Sequence, residues 1–279
     1  MSRQYKWVLF ISTCLPLWAA TQQGPPQQQF YTATGAYSQT AADLFSAIQQ
    51  TAAIAGISTP ALGITGVRPY LLPGIHQYQL AAVYPVSSGS FGFNAISRGG
   101  MGYATSQAGL TYARRFGPGL AAGLGFTYNS IKLAGYGESA IPSAEAGVLF
   151  HVTREFHAGL QMRNPLSRRW GIDKQEKLPL VYVTGFGYEP SRVFYCSAEF
   201  IKEEEQPVEV AVSFQYKPAD RFWVKAGLFT GTSQIWGGAG FEFSRCRFDL
   251  FVSWHPQLGF TPGTAILFQF KKQPHEQDQ

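Results

Sequence analysis

Residues 120–130 read LAAGLGFTYNS. Leu120, Ala122, Leu124, Phe126 and Tyr128 fall on one side of a two-residue repeat, and Ala121, Gly123, Gly125, Thr127 and Asn129 fall on the other. Such alternation marks a β-strand with two unlike faces. PVEVAVSFQYK at 207–217 repeats it, setting Val208, Val210, Val212, Phe214 and Tyr216 against Glu209, Ala211, Ser213, Gln215 and Lys217. So does CRFDLFVSWH at 246–255, where Phe248, Leu250, Val252 and Trp254 oppose Arg247, Asp249, Ser253 and His255.

Alternation leaves the sense of the faces open, because a soluble sandwich turns its apolar face inward and a membrane barrel turns it outward. Composition decides. Only 14% of the 279 residues are charged and 15% are aromatic, whereas a soluble domain carries about 25% charged residues. The polar faces hold Gly, Ala, Ser, Thr, Gln and Asn more than Lys or Glu. Dense charge is confined to the connections SRRWGIDKQEK (167–177) and KEEEQ (202–206). Aromatics gather near the ends of the runs, at Tyr84, Phe91, Tyr128, Tyr182, Tyr188, Phe200, Tyr216 and Trp254, where the girdles of a membrane barrel sit.

The expected fold is therefore all-β: a transmembrane outer-membrane barrel of about fourteen antiparallel strands. They are placed at 62–70, 77–85, 90–99, 101–115, 120–133, 141–153, 156–163, 178–189, 192–203, 207–217, 221–230, 233–244, 246–255 and 261–270. An even count puts both ends of the barrel on the periplasmic side. Residues 1–20 have the layout of a cleaved signal peptide, with Arg3 and Lys6, an apolar run from Trp7 to Trp18, and Ala19 and Ala20 at the end. Cleavage lowers the net charge from +5 to about +3. No basic stripe suited to nucleic acid appears. Cys196 and Cys246 make no disulfide framework. A polar tail follows at 271–279.

Between the signal and the barrel, 21–61 is a polar segment ending in DLFSAIQQTAAIAGI (43–57), which reads as an amphipathic helix with Leu44, Ile48, Ala52 and Ala55 on one stripe. So narrow a stripe needs a surface to pack on, and the lumen wall is the one available. Asp43, Leu44, Phe45, Ser46, Ile48, Gln50, Thr51 and Ala52 are the candidate plug residues. Glu199, Glu209, Lys225, Glu242, Arg247 and Asp249 lie on lumen faces and should pair there, since a lone buried charge is costly.

The order of DLFSAIQQTAAIAG (43–56), the long stretch ISRGG to LAGYG (96–137) and HPQLGFTPGTAILFQF (255–270) resembles the FadL superfamily of outer-membrane barrels, and more closely the PorV/PorQ family associated with type IX secretion. The family usually has an Asn-Pro-Ala step before the first strand; here the step reads Gln50, Thr51, Ala52. The resemblance implies a non-enzymatic component of a secretion or envelope-assembly system with protein partners. Its alternatives are a FadL-like passive channel for hydrophobic compounds and a soluble periplasmic β protein. No cofactor and no metal site are expected, since the five histidines show no ligand spacing. His151 and His157, flanking TRE, read as rim residues. Ser253, His255 and Asp249 share a strand face in a spacing that a lipid hydrolase could use; the plainer expectation is that His255 starts a turn.

Overall fold

The computed structural model describes residues 30–100, 102–166, 169–170 and 176–270. The signal-peptide and tail expectations lie outside them. Fourteen strands form one closed antiparallel barrel in which each strand pairs with its chain neighbours. They are β1 Ala61–Val67, β2 His76–Val86, β3 Gly89–Gly100, β4 Tyr103–Arg115, β5 Leu120–Leu133, β6 Gly137–His151, β7 Phe156–Arg163, β8 Val181–Ser191, β9 Phe194–Glu203, β10 Val208–Ala219, β11 Phe222–Phe229, β12 Gln234–Phe243, β13 Cys246–His255 and β14 Gly259–Gln269. Closure comes from β1 pairing with β14, with Ile64 opposite Ile266. No edge strand is left, as a hydrocarbon surround requires of every backbone polar group.

The opening stretch shows which way the faces point. On β5, Ala121, Gly123, Gly125, Thr127 and Asn129 are buried while Leu124, Phe126 and Tyr128 face out, Phe126 being 72% exposed. The aromatics expected at the girdles all lie on the outer surface. A soluble barrel would reverse this arrangement, and the soluble alternative falls with it. One end of the barrel carries tight turns at 87–88, 192–193, 220–221 and 244–245, the other the longer connections 68–75 and 164–180. Short turns mark the periplasmic end of such barrels.

Two boundaries differ from expectation for local reasons. β1 stops at Val67 because Tyr70 and Leu71 take left-handed backbone conformations (φ 52 and 56) in a short 3-10 turn. β8 begins at Val181 because Leu178 instead turns into the barrel mouth and packs on Ile131 and Ile141. Within that mouth connection Arg169–Trp170 and Glu176–Lys177 form a short ladder of their own.

The N-terminal segment fills the lumen. Its helices are α1 Phe30–Ala33 and α2 Leu44–Gln49. The continuous helix expected over 43–57 is not formed: Gln50 is extended (φ −119, ψ 108), and a 3-10 turn follows at Ala53–Gly56. A single stripe also proves the wrong description, since Leu44, Phe45, Ala47, Ala52, Ala53 and Ile54 are all buried. A wall on every side removes the need for one apolar face.

The outward sense of Phe126 makes a direct test. Phe126→Arg should lower the unfolding free energy in bilayers by about 2–4 kcal/mol, the cost of a cation near the midplane. Urea titration of the heat-modifiable gel band reads this; no change would mean that this face does not meet lipid.

Candidate functional site

The plug is held by charge first. Asp43 caps α2 through a reciprocal pair: Ser46 N–H donates to Asp43 Oδ1 at 2.8 Å, and the Asp43 N–H donates to Ser46 Oγ at 2.9 Å. The other carboxylate oxygen, Oδ2, accepts from Lys225 Nζ of β11 at 3.2 Å and from an Arg247 guanidinium nitrogen of β13 at 2.5 Å. Arg247 also grips Asp249 through two nitrogens, at 2.6 to 3.0 Å, and its guanidinium lies 4.5 Å from the Trp223 ring centroid. Two acids and two cations thus neutralise one another where Lys225 and Asp249 are each 1% exposed. Burial opposes ionisation of Asp43, but Lys225 and Arg247 outweigh it and hold the carboxyl well below the usual carboxylate range.

A second grip lies six residues or fewer upstream. Glu189 of β8 accepts from the Ser38 hydroxyl, from the Thr40 hydroxyl at 3.0 Å and from the N–H groups of Gln39 and Thr40 at 3.1 and 3.3 Å. His157 Nε2 meets the same carboxylate at 2.7 Å, and its Nδ1 lies 3.0 Å from Nδ1 of His151. His157 is fully buried, so the expectation of a rim residue is corrected by its pairing under the plug.

Glycines on the inner wall let the plug seat deeply. A Cβ at Gly63 would strike the Phe45 ring, one at Gly92 the end of Ile54, and one at Gly185 the Tyr37 ring. Tyr37, 1% exposed, reaches Glu199 of β9; burial above all, and then Glu199, push its phenol well above the ordinary value. Tyr31 stacks on Phe251 with centroids 4.7 Å apart and planes 8° from parallel. In place of the Asn-Pro step, Gln50 Nε2 donates to the carbonyls of Val148 and Leu160 at 3.2 and 3.3 Å, while Thr51 Oγ1 accepts from Gln161 at 2.9 Å.

Among the six lumen-charge candidates, Lys225, Arg247 and Asp249 meet in one cluster and Glu199 lies apart at Tyr37. Glu209 and Glu242 share the inner face and sit half-buried near strand ends, Glu242 standing opposite Arg247 in the strand register. Of the plug candidates, Asp43, Leu44, Phe45, Ser46, Gln50, Thr51 and Ala52 are buried in the lumen, and Ile48 is partly open to the space above. Glu189, Tyr31 and Tyr37 escaped the sequence reading. Ser38 and Thr40 beside Tyr37 were its one visible signal, a hydroxyl pair next to a buried aromatic. The Ser253, His255 and Asp249 grouping dissolves: Asp249 is taken by Arg247, and His255 Nδ1 accepts from the N–H groups of Gln257 and Leu258 in the turn. Among the described residues no cluster of His, Cys, Asp and Glu suits a metal ion.

Above the plug a cavity of about 90 Å³ opens toward the mouth. Its lining comes from the inner faces of β2 to β7 and from the mouth connection, with Ile48 and Gln49 of the plug below and Leu178 above. Gln79 Nε2 donates to Asn94 Oδ1 at 2.9 Å, Arg98 Nε to Gln77 Oε1 at 2.7 Å and Asn129 Nδ2 to Ser143 Oγ at 3.0 Å. On the lipid side of the same wall, Leu124, Leu160 and Tyr182 border an apolar depression of about 760 Å³.

The barrel has counterparts in fold among solved structures. The CymD monoaromatic hydrocarbon channel superposes with a TM-score of 0.62 at 11% identity, over 82% of this chain and 93% of that one. This is the fold of the hydrocarbon channels. The Pseudomonas putida toluene transporter TodX matches with a TM-score of 0.58 at 10% identity, covering 83% of this chain and 95% of its own. The Ralstonia pickettii toluene transporter TbuX gives 0.57 at 9%, covering 83% and 94%. At such identities the likeness is one of fold. The closed fourteen-strand barrel expected from the sequence stands on it. No protein-family model matches the chain, and no curated protein matches it in sequence.

Three outcomes follow. Asp43→Asn leaves two cations facing one acid, a change that costs about 3–5 kcal/mol at a buried pair; the barrel band on gels should persist while the segment before β1 becomes cleavable by added protease. Gly185→Val should release the same segment by displacing Tyr37, with the barrel again retained. Because the Asp43 carboxyl is depressed in the folded state, its contribution is complete above the unfolded value near pH ~3.9. Protease resistance of the plug should therefore be flat from pH 8 down to about 4 and fall only below that.

Proposed function

We propose that this chain is a passive, non-enzymatic outer-membrane channel of the FadL type, closed in the present state by its own N-terminal segment. The observation that carries the reading is the plug itself. It is seated by side-chain hydrogen bonds and ion pairs, which can be exchanged for water or solute, beneath a chamber that leads to the mouth. A purely structural filling would be served as well by apolar packing, since a buried ion pair is weak evidence of stabilisation. The full-length match to barrels named as hydrocarbon channels and toluene transporters supports the same reading.

The PorV/PorQ-like role in secretion or assembly, with dedicated protein partners, is the second reading and has the weaker support. Most connections at the mouth are short, leaving 68–75 and 164–180 as the extended surfaces there. Hydrocarbons are the solutes named for the structural counterparts; the solute of this chain depends on its own lining.

Proteoliposomes holding the full chain should release entrapped solutes of monosaccharide size faster than empty vesicles, and Asp43→Asn should accelerate the release. Native extraction in mild detergent should yield the barrel alone. Absence of efflux from both proteins, together with a stoichiometric co-purifying protein, would overturn the channel reading in favour of the partner role.

A further inference from the structure

We infer that the chamber above the plug is a binding site for a small, neutral, hydroxyl-rich solute such as a monosaccharide or cyclic polyol, and not for a hydrocarbon. The inference rests on the channel reading only for its place on a route; the binding site is argued from the lining itself.

Four strands contribute hydrogen-bonding side chains that converge on one space: Gln79 from β2, Asn94 from β3, Gln107 and Thr111 from β4, Thr127 and Asn129 from β5. Polar lining is general in barrel interiors; here the polar wall groups of the lower lumen are taken up by the plug, and those above it face open space. The lower lumen is packed with Leu44, Phe45, Ile54, Val83, Leu149 and Leu267. Open polar space begins where the packing stops, at the level of Ile48 and Gln49. Carboxamides dominate, and each offers both a donor and an acceptor, the complement of a hydroxyl. Gln107 Oε1 is buried and has no partner among the described residues, an acceptor open to a donor in the chamber. Such groups are normally satisfied by something.

Charge narrows the class further. Arg98 is tied to Gln77, and Arg163 donates to the Gln49 carbonyl at 2.7 Å while standing opposite Glu145 in the strand register. Arg98, Arg163 and Glu145 border the chamber too, but the two cations are held by protein acceptors and neutral amides and hydroxyls make up most of the polar lining. A chamber of about 90 Å³ lies well below the roughly 300–1,000 Å³ of sites for drug-sized ligands, which points to a single small ring. A hydrocarbon entering it would strip water from these amides and return no hydrogen bond, the situation in which a polar site rejects an apolar analogue.

Saturation-transfer NMR on the purified full chain in detergent tests the assignment, with D-glucose, D-arabinose and myo-inositol as polar probes and toluene as the apolar one. At least one polar probe should give a signal that weakens about tenfold in affinity or more in Gln107→Leu/Asn94→Leu, as expected for losing a hydrogen bond at each of two side chains. The heat-modifiable gel band establishes that the variant is folded, and Gln107→Asn, which keeps the amide, should retain part of the binding. Silence from all three polar probes, or a toluene signal that the double variant abolishes, would overturn the inference. The two readings fail separately. A polyol that binds without any solute crossing proteoliposomes leaves the site standing and removes the channel; entrapped polar solute that escapes while no polyol binds does the opposite.

Discussion

Asp43 is the point on which the inside of this barrel turns. One of its carboxylate oxygens starts the helix that fills the lumen, and the other joins that helix to cations of two barrel strands. Lys225 and Arg247 would otherwise be stranded in the interior, and Asp249 alone balances one of them. The plug supplies the missing negative charge. Barrel and plug are therefore electrostatically incomplete without each other, which explains why so short a helix, six residues in α2, holds its place.

The inner wall is shaped to the same end. Where the plug touches, the wall offers glycines and the charged and polar groups that grip it, and above the plug it offers mainly carboxamides and hydroxyls. The lumen is thus divided by side-chain size and chemistry into a packed lower part and a hydrogen-bonding upper part. The mouth adds a third zone, in which Leu178 from the connection after β7 closes over Ile131 and Ile141. Each zone draws on residues from several strands, brought together by register.

That distribution accounts for what could be read beforehand. Strand number and sense were legible because alternation along LAAGLGFTYNS is a property of consecutive residues, and because scarce charge on the polar faces told which solvent lay outside. Lumen placement of Lys225, Arg247 and Asp249 followed from the same alternation. Their union with Asp43 did not, since it links residues some 180 to 200 positions apart. Nor did the break at Gln50: its side chain trades helix for hydrogen bonds to the wall at Val148 and Leu160, and helical periodicity in 43–57 carries no trace of that wall. Phe251 stands among polar neighbours on its face and had no evident purpose until Tyr31 was found stacked on it. The convergence of Gln79, Asn94, Gln107 and Asn129 needed the knowledge that β2 to β5 are consecutive staves.

The two grips on the plug lie close in sequence yet on different arcs of the wall, Ser38 to Thr40 against β8 and Asp43 against β11 and β13. The chain between them is too short to slacken. A plug that lets go of one arc stays leashed to the other, so its freed half can only swing about the remaining attachment. On that geometry the plug is a flap with two catches, and loosening either one would turn it about the other without setting it free.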